Sequence, residues 1–109
     1  MATRVLTGIT PTGAPHLGNY LGMIKPALAM SQDPQYECFY FIADYHSLIK
    51  LQDPKVRQDA ILDVAATWLA LGLNIEKTFF YRQSDVVEIM ELTWILNNVA
   101  SKGLSLIHI

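Results

Sequence analysis

The residues best suited to chemistry stand together near the start of the chain, in Gly8-Ile9-Thr10-Pro11-Thr12-Gly13-Ala14-Pro15-His16-Leu17-Gly18-Asn19. Glycines at 8, 13 and 18 let backbone N–H groups come close to a ligand. His16 can donate to an anionic oxygen, and the Asn19 amide can both donate and accept. The stretch follows a short apolar run, Arg4-Val5-Leu6-Thr7, and precedes a helical pattern. A helix start presents unpaired donors and partial positive charge, so this junction favours a bound phosphate. An ordinary strand-to-helix turn is the plain alternative, with His16 serving only to cap the helix.

Two common phosphate motifs are absent. The dinucleotide fingerprint G-x-G-x-x-G does not fit glycines at 8, 13, 18 and 22. Gly8 and Gly13 have P-loop spacing, but Ala14 and Pro15 stand where Lys and Ser or Thr are required. What remains is Pro-His-Leu-Gly-Asn at a helix start.

The elements that must position these residues alternate. The first strand spans about Arg4 to Ile9, and a helix begins near Leu17 to Asn19 and runs to about Met30. Pro26 cannot donate to the Gly22 carbonyl, so a bend or break is expected there. Glu37 to Ala43 is an almost unbroken apolar run, which suits a strand of a parallel sheet. A second helix runs from Asp53 as N-cap and Pro54 to a stop at Gly72. Its stripe Ile61, Val64, Ala65 and Trp68 faces the sheet, while Arg57, Asp59 and Asp63 face water. A third strand covers Thr78 to Arg82. A third helix starts at Ser84 or Asp85, with Asp85 and Glu88 as a capping pair, and carries Ile89, Leu92, Ile95, Leu96 and Val99 to about Lys102.

A βαβαβα order implies an α/β fold with a parallel sheet and right-handed crossovers, half of a doubly wound domain. Such sheets bind ligands beyond the carboxyl ends of their strands. Three polar junctions then share one rim, namely Gly8 to Asn19, Asp44-Tyr45-His46 and Gln83-Ser84-Asp85. Asp44 reads as a loop or cap residue rather than a catalytic acid. For His46, lining a substrate pocket and plain packing stand equally open. Gln83 and Ser84 read as a strand end and a helix cap. Trp68 and Trp94 read as core or interface residues.

Bulk properties narrow the classes. The chain has 109 residues, 51% hydrophobic, enough for one small domain with a core. No apolar run approaches membrane-spanning length, and no secretory h-region follows Met1, so the expected location is the cytoplasm. Its single cysteine, Cys38, reads as a buried small hydrophobe, and histidines at 16, 46 and 108 lack zinc-like spacing. No metal ligands are identified. A net charge of −2 gives no bulk electrostatic case for binding nucleic acid.

Pro15-His16-Leu17-Gly18-Asn19 resembles the HIGH signature of class I aminoacyl-tRNA synthetases, with Asn19 in place of the last His. After Thr7-Gly8-Ile9-Thr10-Pro11-Thr12-Gly13, this variant resembles the tryptophanyl-tRNA synthetase family. Gly18-Asn19-Tyr20-Leu21-Gly22, Phe41-Ile42-Ala43-Asp44-Tyr45-His46-Ser47-Leu48, Tyr81-Arg82-Gln83-Ser84-Asp85-Val86 and Glu91-Leu92-Thr93-Trp94-Ile95-Leu96-Asn97 match in order. The resemblance covers about residues 3 to 103.

It implies a three-layer Rossmann-like parallel sheet, of which this chain is the first half of the nucleotide-binding domain. It also implies ATP-dependent activation of tryptophan to tryptophanyl-adenylate and transfer to tRNA(Trp). The ATP-contacting positions map onto Thr10, Pro11 and Thr12, then His16, Gly18 and Asn19, with His16 and Asn19 as the catalytic pair. Thr10 departs from a Gln common in relatives. Gly8 and His46 map near the tryptophan pocket. ATP is expected as substrate with Mg2+, and the full-length protein as a soluble homodimer to which the third helix contributes.

The same resemblance implies a second half with a KMSKS loop, an indole-recognising acidic residue and an anticodon-reading domain, none of which is found in these 109 residues. Residues 1–103 are thus expected to form an N-terminal half-domain that is inactive alone, and 104–109 an atypical, non-native tail. Two alternatives remain, a small HxGH-type nucleotidyltransferase and a non-catalytic half-domain that binds nucleotide or pairs with another subunit.

Overall fold

A computed structural model describes residues 2–100 of the chain. The expected tail at 104–109, the domain boundary at 103 and the helix end at Lys102 lie outside the described residues. Strand β1 spans Thr3–Ile9, β2 spans Tyr36–Ile42 and β3 spans Thr78–Arg82. They form one parallel sheet in the order β1-β2-β3, with Ile9 opposite Ile42 and Ile42 opposite Arg82.

Both crossovers step in the same direction across the sheet. A right-handed connection therefore places both crossover helices on the same face. Helix α1 (Leu17–Asn19) leads through a wide π-helical turn, Tyr20–Ile24, into α2 (Lys25–Gln32). A single turn, α3 (Asp44–Ser47), follows β2, and α4 (Pro54–Ala70) makes the second crossover. Tyr40 of β2 touches both main helices, with its hydroxyl donating to the Ala27 carbonyl of α2 at 2.7 Å and its ring lying 5.3 Å from Trp68 of α4. Burial pushes that hydroxyl well above the ordinary phenol range.

The core joins Ile9, Ile24, Ala27, Cys38, Tyr40, Ile42, Val64, Trp68 and Leu73. The opposite sheet face carries Leu6, Phe39, Phe41, Phe79 and Tyr81, which alternate with the core positions. Phe39 and Phe79 stack at 4.6 Å, yet Leu6 is 67% exposed and Phe79 55%. The described residues thus supply the sheet and one helical layer of an α/β fold.

Local chemistry explains most boundaries. Asp53 accepts the Lys55 and Val56 N–H groups at 2.8 and 3.0 Å, and Pro54 opens α4. Gly72, at φ 94°, ends it. At Pro26 the helix widens and continues where a bend or break is expected from sequence. Lys25 N–H reaches back five residues to the Tyr20 carbonyl, so the missing proline donor is absorbed by a change of register.

Three expectations are corrected. Arg57 is half-buried, and its guanidinium donates to the Leu51 carbonyl at 3.3 Å. Helix α5 begins at Glu88 and runs to Val99, and it has no side-chain cap. Asp85 is not its N-cap, because its carboxylate turns back to the Arg82 guanidinium at 2.6 Å and to the Arg82 N–H at 3.2 Å. A two-point charged partner outcompetes a backbone donor further along the chain. No residue of α5 is buried among the described residues, and Trp94 is 72% exposed while Trp68 is buried. No described helix is long and apolar enough to cross a membrane.

Candidate functional site

The rim beyond the carboxyl ends of β1, β2 and β3 gathers the sequence-predicted residues into two neighbouring groups. The first is the loop from Thr10 to Pro15 with the start of α1. Thr10, Thr12 and Gly18 are exposed, Pro11 is buried, and Asn19 is half-buried. Gly13 has φ 143°, a backbone conformation that glycine alone adopts without strain, and it turns the loop toward the helix.

His16 and Asn19 cap one another. His16 Nδ1 accepts the N–H groups of Gly18 at 3.1 Å and Asn19 at 3.3 Å. Asn19 Oδ1 accepts the His16 N–H at 3.0 Å, which closes a capping box built from His and Asn. Two donors expected to be free for an anion are therefore used inside the helix start. Because Nδ1 accepts, the neutral ring carries its proton on Nε2. The Asn19 oxygen is also engaged, which leaves its NH2 group as the donor. The cap converts unpaired backbone donors into two oriented side-chain donors. Capping and anion binding are compatible roles for His16.

Gly18 is small for a reason visible here. A methyl group on it would stand 3.0 Å from His16 Cε1 and 3.1 Å from Nδ1. Gly8, which the resemblance maps near a tryptophan pocket, lies opposite Phe41, and a Cβ there would meet that ring at 2.5 to 2.8 Å. A small cavity of about 130 Å³ is lined by Thr10, Thr12, Gly13, His16 and Asn19 among others, with Val64 as its α4 wall. Ligand pockets for small molecules usually exceed about 300 Å³, so this cavity by itself is smaller than such a pocket.

The second group joins the ends of β2 and β3. Asp44 accepts the Ser84 N–H at 3.0 Å through Oδ1 and the Ser84 hydroxyl at 2.5 Å through Oδ2. The neighbouring pair, His46 Nδ1 and Gln83 Oε1, lies at 3.1 Å. Asp44 is a clamp between segments, with Ser84 as its counterpart in the turn Gln83–Asp85 and Gln83 as that of His46. Neither Asp44 nor Ser84 is a helix cap as expected from sequence, because Ala43 and Val87 hold those positions and the two side chains bond each other instead. Sequence alone pairs neither Gln83 nor Ser84 with a residue 37 or 40 positions away.

A larger cavity of about 550 Å³ lies between α4 and the outer strand β3, with Asp44, Arg57, Tyr81, Arg82 and Asp85 on its lining. None of its lining residues comes from α5. Size favours it, but Arg82 is already paired with Asp85 and Arg57 with Leu51. The smaller cavity holds the oriented donors, so the chemistry points there. Among the described residues no group of three or more metal-ligating side chains is present.

A family model for tRNA synthetases class I (W and Y) matches residues 1–105. The chain is 60% identical over 104 residues to a tryptophan–tRNA ligase of Pseudomonas aeruginosa and 62% identical to one of Pseudomonas putida. In both cases the match covers 95% of this chain and 23% of the relative, so the chain spans about a quarter of their length. Its fold is similar to a crystal structure of tryptophanyl-tRNA synthetase from Campylobacter jejuni, with a TM-score of 0.85 at 42% identity. That match covers 95% of this chain and 32% of the other. A structure from Mycoplasma pneumoniae matches with the same TM-score at 33% identity, over 94% of this chain and 29% of the other.

Proposed function

Because the chain belongs to the class I tRNA synthetases (W and Y), we propose that it forms the ATP-binding half of a tryptophan-activating site. In the proposed reaction the tryptophan carboxylate attacks the α-phosphorus of ATP. The bond to the bridging oxygen breaks, giving tryptophanyl-adenylate and pyrophosphate, and the aminoacyl group then passes to tRNA(Trp). The nucleophile is the substrate carboxylate, so the protein's part is to position and to stabilise charge on phosphate oxygens.

The observation that carries this reading is the reciprocal His16–Asn19 cap. It fixes the Nε2–H of His16 and the NH2 of Asn19 as donors beside the loop Thr10-Pro11-Thr12, at a helix start that favours anions. Gly18 lets the imidazole lie close to the helix. Gly8 and His46 would serve the tryptophan side of the rim. Mg2+ would accompany the triphosphate as part of the substrate. The remaining wall, the tRNA-reading parts and the rest of the homodimer contact, to which α5 would contribute, would come from a longer protein in the cytoplasm. A nucleotidyltransferase reading lacks comparable support, since the matched relatives are ligases over 95% of this chain.

The test is tryptophan-dependent ATP–pyrophosphate exchange by a protein extending this chain to the length of its relatives. Exchange that falls on His16→Ala supports the reading, and exchange unchanged by that substitution removes His16 from the site. The 109-residue chain alone is expected to give no efficient exchange, and robust exchange by it would overturn the half-site reading.

A further inference from the structure

We propose that Gln83 is a positioning residue for His46, holding its neutral imidazole with the proton on Nδ1 so that Nε2 is left as an acceptor. Gln83 is 8% exposed and opens the turn that follows β3. Its Oε1 lies 3.1 Å from His46 Nδ1. A carbonyl oxygen only accepts, so the ring nitrogen facing it must donate. The hydrogen bond at one ring nitrogen decides the state of the other.

A single bond between two rim segments would fix a distance but leave the glutamine free to swing. The Asp44–Ser84 clamp removes that freedom. Asp44 belongs to the same helical turn as His46, and Ser84 is the residue after Gln83. The carboxylate takes both the backbone N–H and the hydroxyl of Ser84, so it sets the orientation of the turn as well as its position. The two bridges run side by side and tie residues 37 and 40 positions apart. Gln83 thus meets His46 from a fixed direction.

The consequence is a rim with two histidines in opposite tautomers. His16 accepts at Nδ1 and donates at Nε2, which suits an anionic oxygen. His46 donates at Nδ1 and accepts at Nε2, which suits an N–H donor such as the ammonium or indole N–H of an aromatic amino acid. What the acceptor meets rests on the proposed synthetase reading, whereas the tautomer does not.

The test is long-range 1H–15N correlation on the 109-residue chain labelled with 15N-histidine. It is run at pH about 9, above the ordinary imidazole range of about 6.5. His46→Gln and His16→Gln assign the signals. His46 is expected mainly as the Nδ1–H form and His16 mainly as the Nε2–H form. Gln83→Leu should switch His46 to the Nε2–H form, and Gln83→Glu, which keeps an acceptor, should restore Nδ1–H. Ser84→Ala should give a partial shift in the direction of Gln83→Leu.

A wild-type His46 in the Nε2–H form overturns the proposal, since it would mean the glutamine NH2 faces the ring. So does a tautomer ratio unmoved by Gln83→Leu in a chain whose backbone amide spectrum is otherwise preserved. Should that variant not fold, the wild-type and Gln83→Glu spectra decide. A chain that binds no ATP but shows the predicted tautomers would count against the ATP-binding half-site and leave this assignment standing.

Discussion

His16 and Asn19 each satisfy the other's helix-start hydrogen bonds, the imidazole accepting the Asn19 N–H and the amide oxygen accepting the His16 N–H. The arrangement spends the inner edge of both side chains on the fold and keeps the outer edge for a ligand. Structural and binding roles are then separable by substitution, because each uses a different atom.

Asn19→Asp is the sharpest separation. The carboxylate keeps an oxygen to accept the His16 N–H, and a negative charge at a helix start is favourable. The NH2 donor is lost, and a charge repelling phosphate takes its place. Stability by urea denaturation should change by less than about 1 kcal/mol. Exchange activity of the relative-length protein should fall by about 10²-fold or more. His16→Ala should lose both functions, with about 0.5–2 kcal/mol of cap stability removed as well.

Gly18→Ala should act through a neighbour. Alanine is intrinsically favoured over glycine in a helix by about 1 kcal/mol. Its methyl group, however, would stand 3.0 Å from His16 Cε1, so the ring must give way. The expected result is near-unchanged thermal stability with weakened ATP binding. Nuclear Overhauser contacts between the His16 ring and the residue 18–19 amides should weaken in parallel.

Asp44→Ala removes the acceptor for Ser84 N–H, Ser84 Oγ and Tyr45 N–H together. Orphaning half-buried donors should cost about 1–3 kcal/mol. Ser84→Ala should cost about 0.5–1.5 kcal/mol, because only one bond goes. Denaturation midpoints of the two single variants and the double variant should be non-additive, as expected for a direct pair.

The Arg82–Asp85 pair sets a pH dependence. The Arg82 hydrogen bond holds the Asp85 carboxyl below its ordinary range. A carboxyl depressed in the folded state contributes stability above its unfolded value of about 3.9 and loses that contribution as pH falls through the folded value. Both side chains are about half-exposed, so the effect on global stability is small. Carboxyl 13C titration should place the Asp85 midpoint below the ordinary aspartate value of about 3.9, and Arg82→Met should raise it.

Most of the fold is legible in the sequence because its signals are local. Asp53-Pro54 and Gly72 bracket α4, the apolar run ending at Ile42 marks a buried strand, and Thr78 to Arg82 appears as expected. The misreadings at Asp85 and Arg57 have a common cause. Each side chain chose a partner that spacing rules do not rank, a charged fork three residues back and a loop carbonyl six residues away. The apolar stripe of α5 is readable, but what it packs against is not, since stripes report a face and not its partner. In the site, the glycines and the His16–Asn19 pair are visible because the cap is short-range. The Asp44–Ser84 and His46–Gln83 bridges depend on β2 and β3 being neighbours, which no local pattern specifies.

The most direct measurement of the central claim is an ATP titration of the 15N-labelled 109-residue chain, followed residue by residue. The account predicts that the largest amide shifts fall on Thr10, Thr12 and Gly13, with His16 and Asn19 side-chain signals moving alongside and α4 beyond Val64 unmoved. Inorganic pyrophosphate should reproduce part of the pattern. Shifts centred instead on Arg57 and Arg82 in the larger cavity, or none near the His16–Asn19 cap at millimolar ATP, would contradict it.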